Sequence, residues 1–502
     1  MNEMFDLAIV GAGPAGLAAL IAAGEASEQR MHIALLDNRP QPGGQYYLQP
    51  PLAFQPLAFQ PPAFQPPHRS AVHHRAEAQA VFARAQAIDA CRLLDTDVWN
   101  ISPLKQGGWQ LDLRMPDGLG RLEARGVILA VGAYDRPVPF PGWTLPGVMT
   151  AGAVQNLLKS QGVLPGQRIV VSGSGPLSWA VAANLVEAGA HGVALLEAAP
   201  RLLRRALPHG MALWGQWARV CEGIHYWRVL RRARVPICVG WAAIAAHGEQ
   251  EVRAVEIARL AEDWSPLAGV ENRRTLEADT LVVGYGFTPA TQLSRLIGCR
   301  HVLDPSGQYD IPVRSSEMAS SQPAVWIVGD GARIGGAALA QIEGQIAGLA
   351  AAGALGFLKP DHTQALINRL HRSLRREQRF ADMLAALFTP RAGWYALAQE
   401  DTLICRCEDV SLGKIKAAVQ SGAQTVNEVK GLTRAGMGFC QGRLCGDSVA
   451  RVVHAVHRSP VRNRSAAPEP ATPRPPLWPL SLTELSAPIK QVTPACRPSK
   501  PA

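Results

Sequence analysis

Four of the nine cysteines lie in one short region near the C-terminal end of the 502-residue chain. They are Cys405, Cys407, Cys440 and Cys445, in the sequences ICRCEDV and GMGFCQGRLC. Thiolates gathered in this way bind a [2Fe–2S] cluster or a structural zinc ion, and zinc pairs usually have about two to four residues between them. The C-x-C half therefore favours the cluster. Zinc and free thiols are the alternatives.

A glycine-rich loop near the N-terminus has the spacing of a dinucleotide-binding loop. The sequence GAGPAG follows the apolar segment DLAIV and opens a small-residue helical pattern. Its glycines permit a tight turn, a close approach of pyrophosphate and tight helix–strand packing, in that order. About twenty residues further on, an acid ends the next apolar segment, where it can recognise ribose hydroxyls. The predicted binding residues are Gly11, Gly13, Pro14, Ala15, Gly16 and Asp37.

Three further segments resemble FAD-binding parts of the two-dinucleotide-binding flavoproteins. They are PGGQYY, VILAVGAYDRPVPFPG and the segment AVWIVGDGARIGG that begins at residue 324. In that family the aspartate of the last segment binds the ribityl chain. The resemblance implies that FAD is the first dinucleotide and that it also contacts Gly44, Gln45, Gly132, Gly329 and Asp330.

A second glycine loop lies within residues 167–201, and serine replaces its third glycine. Glu197 ends the next apolar segment and favours NAD, whereas the following arginines at 201, 204 and 205 favour the 2′-phosphate of NADP. The preference stays open. So does the alternative that this inherited domain holds another adenine nucleotide or nothing. The candidate residues for the second nucleotide are Gly173, Gly175, Pro176, Leu177, Ser178 and Glu197.

Alternating apolar segments and helical patterns predict an α/β protein, a Rossmann-like FAD domain with an inserted NAD(P)-type domain, followed by a small helical [2Fe–2S] domain. Between the cysteine pairs, Ser411 and Thr425 are predicted to cap two short helices, with Glu428 completing a capping box. We predict a discontinuous FAD domain (1–135 and 275–358, with a proline-rich surface insert at 49–68), an inserted domain (136–274), a helical connector (359–400), a cluster domain (401–456) and a disordered proline-rich tail (457–502).

Charge and composition argue against several functions. The formal charge of +10 comes from scattered residues, and no basic run is interleaved with aromatic residues as nucleic-acid binding would require. The apolar N-terminal segment follows acidic residues and carries the glycine loop, so it predicts neither a signal peptide nor a membrane span. An odd number of cysteines, five of them isolated, favours a reducing, cytoplasmic compartment.

The combination of a two-dinucleotide flavoprotein with CRCEDV and TRAGMGFCQGRLC resembles one family over about residues 4–456. It is the FAD-binding α-type subunit of heteromeric dehydrogenases: opine oxidases, hydrogen cyanide synthase and dye-linked proline or hydroxyproline dehydrogenases. The cysteine region is similar to bacterioferritin-associated ferredoxin-like domains. In this family a separate FAD subunit of the amino-acid-oxidase type oxidises an amine or imino acid of the opine, proline, hydroxyproline or glycine type.

The resemblance therefore implies an electron-transferring subunit. Its partners would be that oxidase-type protein and, in some complexes, a small ferredoxin-like subunit. The resemblance leaves open a peripheral attachment to the inner face of the membrane through the complex. The chain contains no CxxC, Gly-x-Ser-x-Gly or HExxH motif, and its catalytic residues are unknown. Two alternatives remain: a stand-alone NAD(P)H-dependent reductase that serves a ferredoxin or dye, and a non-enzymatic iron-sensing or docking module.

Overall fold

The computed structural model describes residues 4–51, 70–457 and 470–494. Most of the insert predicted at 49–68 lies outside these ranges. The helices of the described residues are α1 (Pro14–Ala26), α2 (Ser70–Gln86), α3 (Ala151–Asn156), α4 (Pro176–Glu187), α5 (Leu202–Ala206), α6 (Trp217–Arg232), α7 (Gln292–Leu296), α8 (Ala337–Ala354), α9 (Pro360–Phe388), α10 (Leu412–Gln420), α11 (Val426–Thr433), α12 (Gly446–His457) and α13 (Leu482–Ser486).

The strands form two larger sheets and several small ones. They are β1 (Phe5–Val10), β2 (Ile33–Leu36), β3 (Ala90–Leu93), β4 (Asp97–Pro103), β5 (Trp109–Met115), β6 (Gly118–Leu129), β7 (Ala133–Asp135), β8 (Val148–Thr150), β9 (Arg168–Gly173), β10 (Gly192–Glu197), β11 (Ile237–Val239), β12 (Trp241–His247), β13 (Ala254–Arg259), β14 (Arg273–Glu277), β15 (Thr280–Gly284), β16 (Phe287–Pro289), β17 (His301–Leu303), β18 (Asp310–Pro312), β19 (Val325–Ile327), β20 (Leu403–Cys405), β21 (Val410–Ser411) and β22 (Lys490–Gln491).

The first sheet has the parallel order β3-β2-β1-β6, and β19 joins it beside β6. The central strand β1 is apolar throughout its buried length because helices and strands cover both of its faces. The first half of β6 turns away into an antiparallel ribbon with β5 and β4. In such sheets, ligands bind at the carboxyl ends of the parallel strands, which is where the first glycine loop lies.

The second sheet has the all-parallel order β11-β10-β9-β15-β8, and the antiparallel sheet β12-β13-β14 packs beside it. The chain leaves the first sheet through β7 and returns through β16, and these two strands pair with each other. The predicted α/β architecture with two nucleotide-binding sheets is therefore confirmed. The domain limits given above stay predictions.

Two helices of the first domain cross at very short range. A Cβ atom on Gly344 of α8 would lie 2.1 Å from the carbonyl oxygen of Ala15 on α1, and one on Gly348 would lie 2.5 Å from that of Ala19. Only glycine allows this approach of the two backbones. This crossing brings α8, which follows β19, next to α1, which follows the first glycine loop. No helix in the described ranges combines the length and apolar character needed to cross a bilayer.

The connector helix α9 lies within the predicted connector at 359–400 and ends at Phe388, and it packs against both nucleotide domains. Ile367 and Leu374 pack in the core of the first domain, and Phe388 at its C-terminal end packs in a core of the second. The cluster domain follows. In it, Ser411 caps α10, and Thr425 with Glu428 forms the predicted capping box of α11.

The prediction of a disordered tail is wrong for residues 470–494. Leu477 is 6% exposed in the core beneath the first sheet, and its N–H donates to the carbonyl oxygen of Trp99 at 2.9 Å. Further along, β22 pairs in parallel with the first half of β6. Thr472 exchanges two hydrogen bonds with Asn427 of the cluster domain. The tail thus links the cluster domain to the flavoprotein sheet.

This packing makes a testable prediction for stability. We expect Leu477→Ala to cost about 2–5 kcal/mol, as large-to-small changes in cores do, because the vacated space lies against the sheet. The matched control is Leu482→Ala in the same tail, where the side chain is 85% exposed and the expected change is below about 0.5 kcal/mol. Thermal melting of the two variants provides the comparison. Equal melting temperatures would contradict the packing described here.

Candidate functional site

The first glycine loop joins β1 to α1 in a shape that side chains would prevent. Gly11 has φ +106°, and a Cβ atom on it would lie 2.3 Å from the carbonyl oxygen of Ala130. A Cβ atom on Gly16 would lie 1.7 Å from the carbonyl oxygen of Gly11. Helix α1 then begins at Pro14 with no side-chain cap, which leaves its N-terminal N–H groups and dipole facing the loop. This arrangement suits a pyrophosphate.

Asp37 follows β2 and lies against the same loop. Its carboxylate accepts hydrogen bonds from the N–H groups of Ala12 at 2.5 Å and Arg39 at 2.9 Å. Burial raises the pKa of this carboxyl group, and the two backbone N–H groups act in the opposite direction. The predicted ribose-binding acid therefore lies beside the predicted phosphate-binding turn.

The loop PGGQYY reaches the first glycine loop through its glycines. A Cβ atom on Gly44, at φ +59°, would lie 2.9 Å from the Cα atom of Gly13. The N–H of Gly43 donates to the carbonyl oxygen of Ala12 at 2.8 Å. Gln45, next in the chain, is exposed. The close backbone contact joins two segments that sequence resemblance alone assigned to one cofactor.

The remaining FAD-type residues meet at the same edge of the sheet. A Cβ atom on Gly329, after β19, would lie 3.1 Å from the Cβ atom of Ala15 at the start of α1. One on Gly331 would lie 3.1 Å from the carbonyl oxygen of Gly132, after β6. Three separated segments of the sequence thus converge at the carboxyl ends of the parallel strands.

Asp330 is held by the turn that precedes α8. Its Oδ1 atom accepts hydrogen bonds from the N–H groups of Gly335 at 2.8 Å and Gly336 at 3.0 Å. Burial raises the pKa of this carboxyl group, and the two N–H groups partly offset the effect. The side chain is therefore fixed in place beside Gly329, as a residue that recognises a polyol chain must be.

Sequence reasoning missed the ion pair that supports this turn. Glu343 is 2% exposed, and it accepts hydrogen bonds from both Nη atoms of Arg314 at 2.9 and 3.0 Å. It also accepts one from the N–H of Gly329 at 2.8 Å. The signal in the sequence was a single acid within the alanine- and glycine-rich helix α8, because an isolated buried charge requires a partner.

In the second glycine loop, the structure accommodates the serine that replaces the third glycine. Ser178 is fully buried, and its hydroxyl group donates to the carbonyl oxygen of Gly284 at 3.4 Å. A Cβ atom on Gly173 would lie 2.1 Å from that hydroxyl oxygen. The close packing of helix on strand is thus kept. Gly175, at φ +95°, precedes α4, which opens with Pro176 and Leu177.

Glu197 ends β10 as predicted, but its side chain points into the protein and is 0% exposed. One carboxylate oxygen accepts from the N–H of Ala199 at 3.0 Å. The other accepts from the N–H of Gly175 at 3.1 Å and the indole N–H of Trp179 at 3.0 Å. Burial raises the pKa of Glu197, and these donors act against the shift.

The four C-terminal cysteines come together between β20, the loop after α11 and the start of α12. The side chain of Cys445 interacts with those of Cys405 and Cys440, and Cys440 also interacts with Cys407. The N–H of Gly436 lies 3.4 Å from the sulfur of Cys405. Each of the four predicted ligands therefore interacts with at least one other of the four.

The surroundings favour thiolates at two of these positions. The hydrogen bond from Cys445 lowers the pKa of Cys405 to about 6 and that of Cys440 to about 5, assisted by backbone N–H groups. The same hydrogen bonds raise the pKa of Cys445, and burial raises that of Cys407. Because thiolates ligate iron and backbone N–H groups offset the charge of a cluster, this donor set fits [2Fe–2S].

Arg443, between the second pair of cysteines, connects the cluster loop to the flavoprotein. Its Nε atom donates to the hydroxyl oxygen of Tyr134 on β7 at 3.0 Å, and a terminal nitrogen donates to the carbonyl oxygen of Leu477 at 3.1 Å. Its guanidinium group lies 3.5 Å from the ring centroid of Trp478. Tyr134 is two residues beyond Gly132, so the contact lies close to the candidate FAD site.

A cavity of about 580 Å³ lies where the cluster domain, the first domain and the tail meet. Tyr134, Gln308, Met437, Cys445 and Pro473 are among the residues around it. The cavity shows that the cluster loop faces the flavoprotein.

Comparisons with known proteins agree with this division of the chain. Residues 5–345 match the family model "Pyridine nucleotide-disulphide oxidoreductase", and residues 403–455 match "BFD-like [2Fe-2S] binding domain". The first match covers both nucleotide-binding sheets. The second contains all four predicted cysteine ligands. Together they support FAD and a [2Fe–2S] cluster as the cofactors.

Relatives of known name match over most of the chain. The chain is 31% identical to the A-type subunit of opine oxidase from Agrobacterium tumefaciens over 469 residues, which is 91% of this chain and 87% of that protein. It is 34% identical to the HcnB subunit of hydrogen cyanide synthase from Pseudomonas aeruginosa, over 87% of this chain and 90% of that protein. The crystal structure of L-proline dehydrogenase from P. horikoshii has the same fold, with a TM-score of 0.66, 19% identity and coverage of 96% and 80%.

Proposed function

Because this chain belongs to the pyridine nucleotide-disulphide oxidoreductase family, and within it to the group of the opine oxidase A-type and hydrogen cyanide synthase HcnB subunits, we propose that it is the electron-transferring subunit of a heteromeric amine or imino-acid dehydrogenase. The chain is an FAD-dependent oxidoreductase. FAD supplies two-electron chemistry that can release electrons singly, and a [2Fe–2S] cluster accepts them one at a time.

The proposal assigns cofactor contacts to the chain's own residues. The [2Fe–2S] ligands are Cys405, Cys407, Cys440 and Cys445. The FAD contacts are Gly11, Gly13, Pro14, Ala15, Gly16, Asp37, Gly44, Gln45, Gly132, Gly329 and Asp330. The free N–H groups at the start of α1 support the first set of FAD contacts, and the fixed carboxylate of Asp330 supports the last.

The observation that carries the proposal is the contact made by Arg443. A residue between two cluster ligands bonds directly to Tyr134, which lies two residues beyond the glycine at the carboxyl end of β6. The two candidate cofactor sites therefore share one short connection through protein. A direct contact between a flavin domain and a cluster domain in one chain favours electron transfer between the two cofactors over iron sensing.

The substrate chemistry belongs to a partner in this proposal. Two of the matched relatives are named as subunits, and the sequence contains none of the CxxC, Gly-x-Ser-x-Gly and HExxH motifs. We assign substrate oxidation to an FAD subunit of the amino-acid-oxidase type, and the further partner is a small ferredoxin-like subunit. The substrate is an opine, proline, hydroxyproline or glycine. A cytoplasmic complex would keep the cysteine ligands reduced.

The assignment of chemistry to a partner is tested with the isolated, anaerobically purified chain. Its flavin and cluster should stay oxidised when octopine, proline, hydroxyproline or glycine is added. They should become reduced only after the amino-acid-oxidase-type subunit of the complex is supplied with its substrate. Reduction by any of these compounds in the isolated chain would refute the division of labour.

Replacing Arg443 with alanine tests the connection between the sites. We expect electron passage from photoreduced flavin to the cluster to slow about tenfold or more, because the variant loses the bond that holds the cluster loop on β7. Stopped-flow absorption measures the rate, with flavin and iron content determined for each sample. The control is Arg406→Ala, which removes the same charge beside two other cysteines from an exposed position. Equal rates in a fully loaded Arg443 variant would contradict the proposed route.

A further inference from the structure

The second glycine loop is in contact with the end of the connector helix α9. A Cβ atom on Gly175 would lie 3.2 Å from Cγ of Phe388, so the aromatic ring lies directly on the glycine that precedes α4. The hydroxyl group of Ser174 donates to the carbonyl oxygen of Phe388 at 3.0 Å. A dinucleotide that used this loop would place its pyrophosphate beside these same residues.

Of the three arginines expected to favour a 2′-phosphate, Arg205 bonds within the chain, Arg201 pairs with Glu262, and Arg204 is exposed. Arg205 donates from one terminal nitrogen to the carbonyl oxygen of Ala386, in the last turn of α9, at 2.6 Å. Its other terminal nitrogen is buried without a hydrogen-bond partner among the described residues. Burial lowers the pKa of Arg205, and the nearby Arg391 adds to that effect. The cation therefore faces helix carbonyl groups, which are its natural partners at a C-terminus.

The carboxylate of Glu197, the acid that follows the second loop, also has hydrogen-bond partners within the chain. Glu197 is 0% exposed, whereas Asp37 at the first loop is 8% exposed, and in addition to backbone N–H bonds of the kind that Asp37 also has, Glu197 accepts one from the indole N–H of Trp179. A ribose would have to break these bonds and enter a site from which solvent is excluded. Such a change leaves buried polar groups without partners, at a considerable cost.

Electrostatics explain why α9 is stable in this position. The N-terminus of α4 carries a partial positive charge, and the C-terminus of α9 presents carbonyl oxygens with a partial negative charge. A helix C-terminus thus meets the loop with the sign of charge that a phosphate would bring. Beyond it, Trp394 is fully buried with its ring centroid 4.6 Å from that of Tyr285, which fixes the connector to the second domain.

We propose that the end of α9 occupies the second glycine loop in place of a dinucleotide, so that this domain anchors the cluster module and is closed to NAD(H) and NADP(H). The pyridine nucleotide implied by the family therefore does not fit this site. The inference does not depend on the identity of the substrate or the partner. It removes the basis for a stand-alone NAD(P)H-dependent reductase.

The test combines nucleotide titration with hydrogen exchange on the full-length, FAD- and cluster-loaded chain. Calorimetric titration with NADH, NADPH or ADP-ribose should show no saturable binding up to about 1 mM, the upper end of usual Michaelis constants. The amides of residues 173–175, 177 and 178 should be protected from exchange without any nucleotide. Phe388→Ala should increase their exchange about tenfold or more, since it removes the covering ring.

The control is Trp214→Ala in the same domain, which removes an aromatic side chain that is 84% exposed and should leave loop exchange unchanged. If the Phe388 variant does not fold, Ser174→Ala provides a milder opening of the same contact, with increased exchange again expected. Saturable NADH binding at or below about 1 mM by the unmodified chain would overturn the proposal. Unchanged loop exchange in a folded variant would do so as well.

Discussion

Replacing Cys440 with serine is expected to remove the iron from the chain and leave the flavin in place. Cys440 interacts with Cys407 and Cys445, and the hydrogen bond from Cys445, helped by backbone N–H groups, lowers its pKa and so favours the thiolate that ligates iron. A serine hydroxyl group stays protonated there and is a poor, hard ligand for iron held by soft sulfur donors. We expect iron and acid-labile sulfide to fall from about two per chain to a small fraction of that.

The control is Cys221→Ser. Cys221 is exposed and far from the four-cysteine group in sequence, so iron, sulfide and flavin should all match the unmodified chain. Absorption spectra, together with iron, zinc and sulfide assays, distinguish the outcomes. Zinc in the unmodified chain, without sulfide, would return the cysteines to a structural role. Undiminished iron in the Cys440 variant would exclude that residue as a ligand.

The second large effect is expected from Glu343→Ala. The change leaves Arg314 buried without its bidentate partner and leaves the N–H of Gly329 without its acceptor. Removing one member of a buried ion pair costs about 3–5 kcal/mol. Because Gly329 opens the turn that holds Asp330, we expect loss of bound FAD as well as a lower melting temperature.

An exposed ion pair provides the comparison for this variant. The side chains of Arg84 and Glu25 form a 2.9 Å pair, but they are 61% and 53% exposed. Glu25→Ala should therefore cost less than about 1 kcal/mol and leave FAD content unchanged. Melting curves and the flavin-to-protein absorbance ratio measure both effects. Normal FAD content in a stable Glu343 variant would exclude a supporting role for the ion pair.

The parts of the structure that depend on local spacing were predictable from the sequence. The turns at Gly11 and Gly175, the capping box of Thr425 and Glu428 and the helical character of the connector follow from glycine spacing, capping chemistry and helical periodicity. Each of these depends on residues a few positions apart. The two cofactors were identified for the same reason, because their binding segments are short and continuous.

The features that escaped prediction depend on contacts between distant segments. Proline-rich composition suggested disorder in the tail, but Leu477 and Trp478 pack against an apolar surface beneath the first sheet. The fixed position of Phe388 on the second glycine loop joins residues more than 200 positions apart. In the sequence Glu343 is a single acid on a helix, and only the fold places Arg314 beside it. Composition and periodicity describe a segment but do not identify its partner.

The cluster domain is attached to the flavoprotein at both of its ends. The connector fixes its entry through Trp394, and the tail returns to the first sheet through Leu477 and β22. A carrier domain that swings between donor and acceptor needs one free hinge. This domain has anchors on either side in the described residues, so we expect it to stay in place against the flavoprotein, and an electron acceptor would have to reach it there.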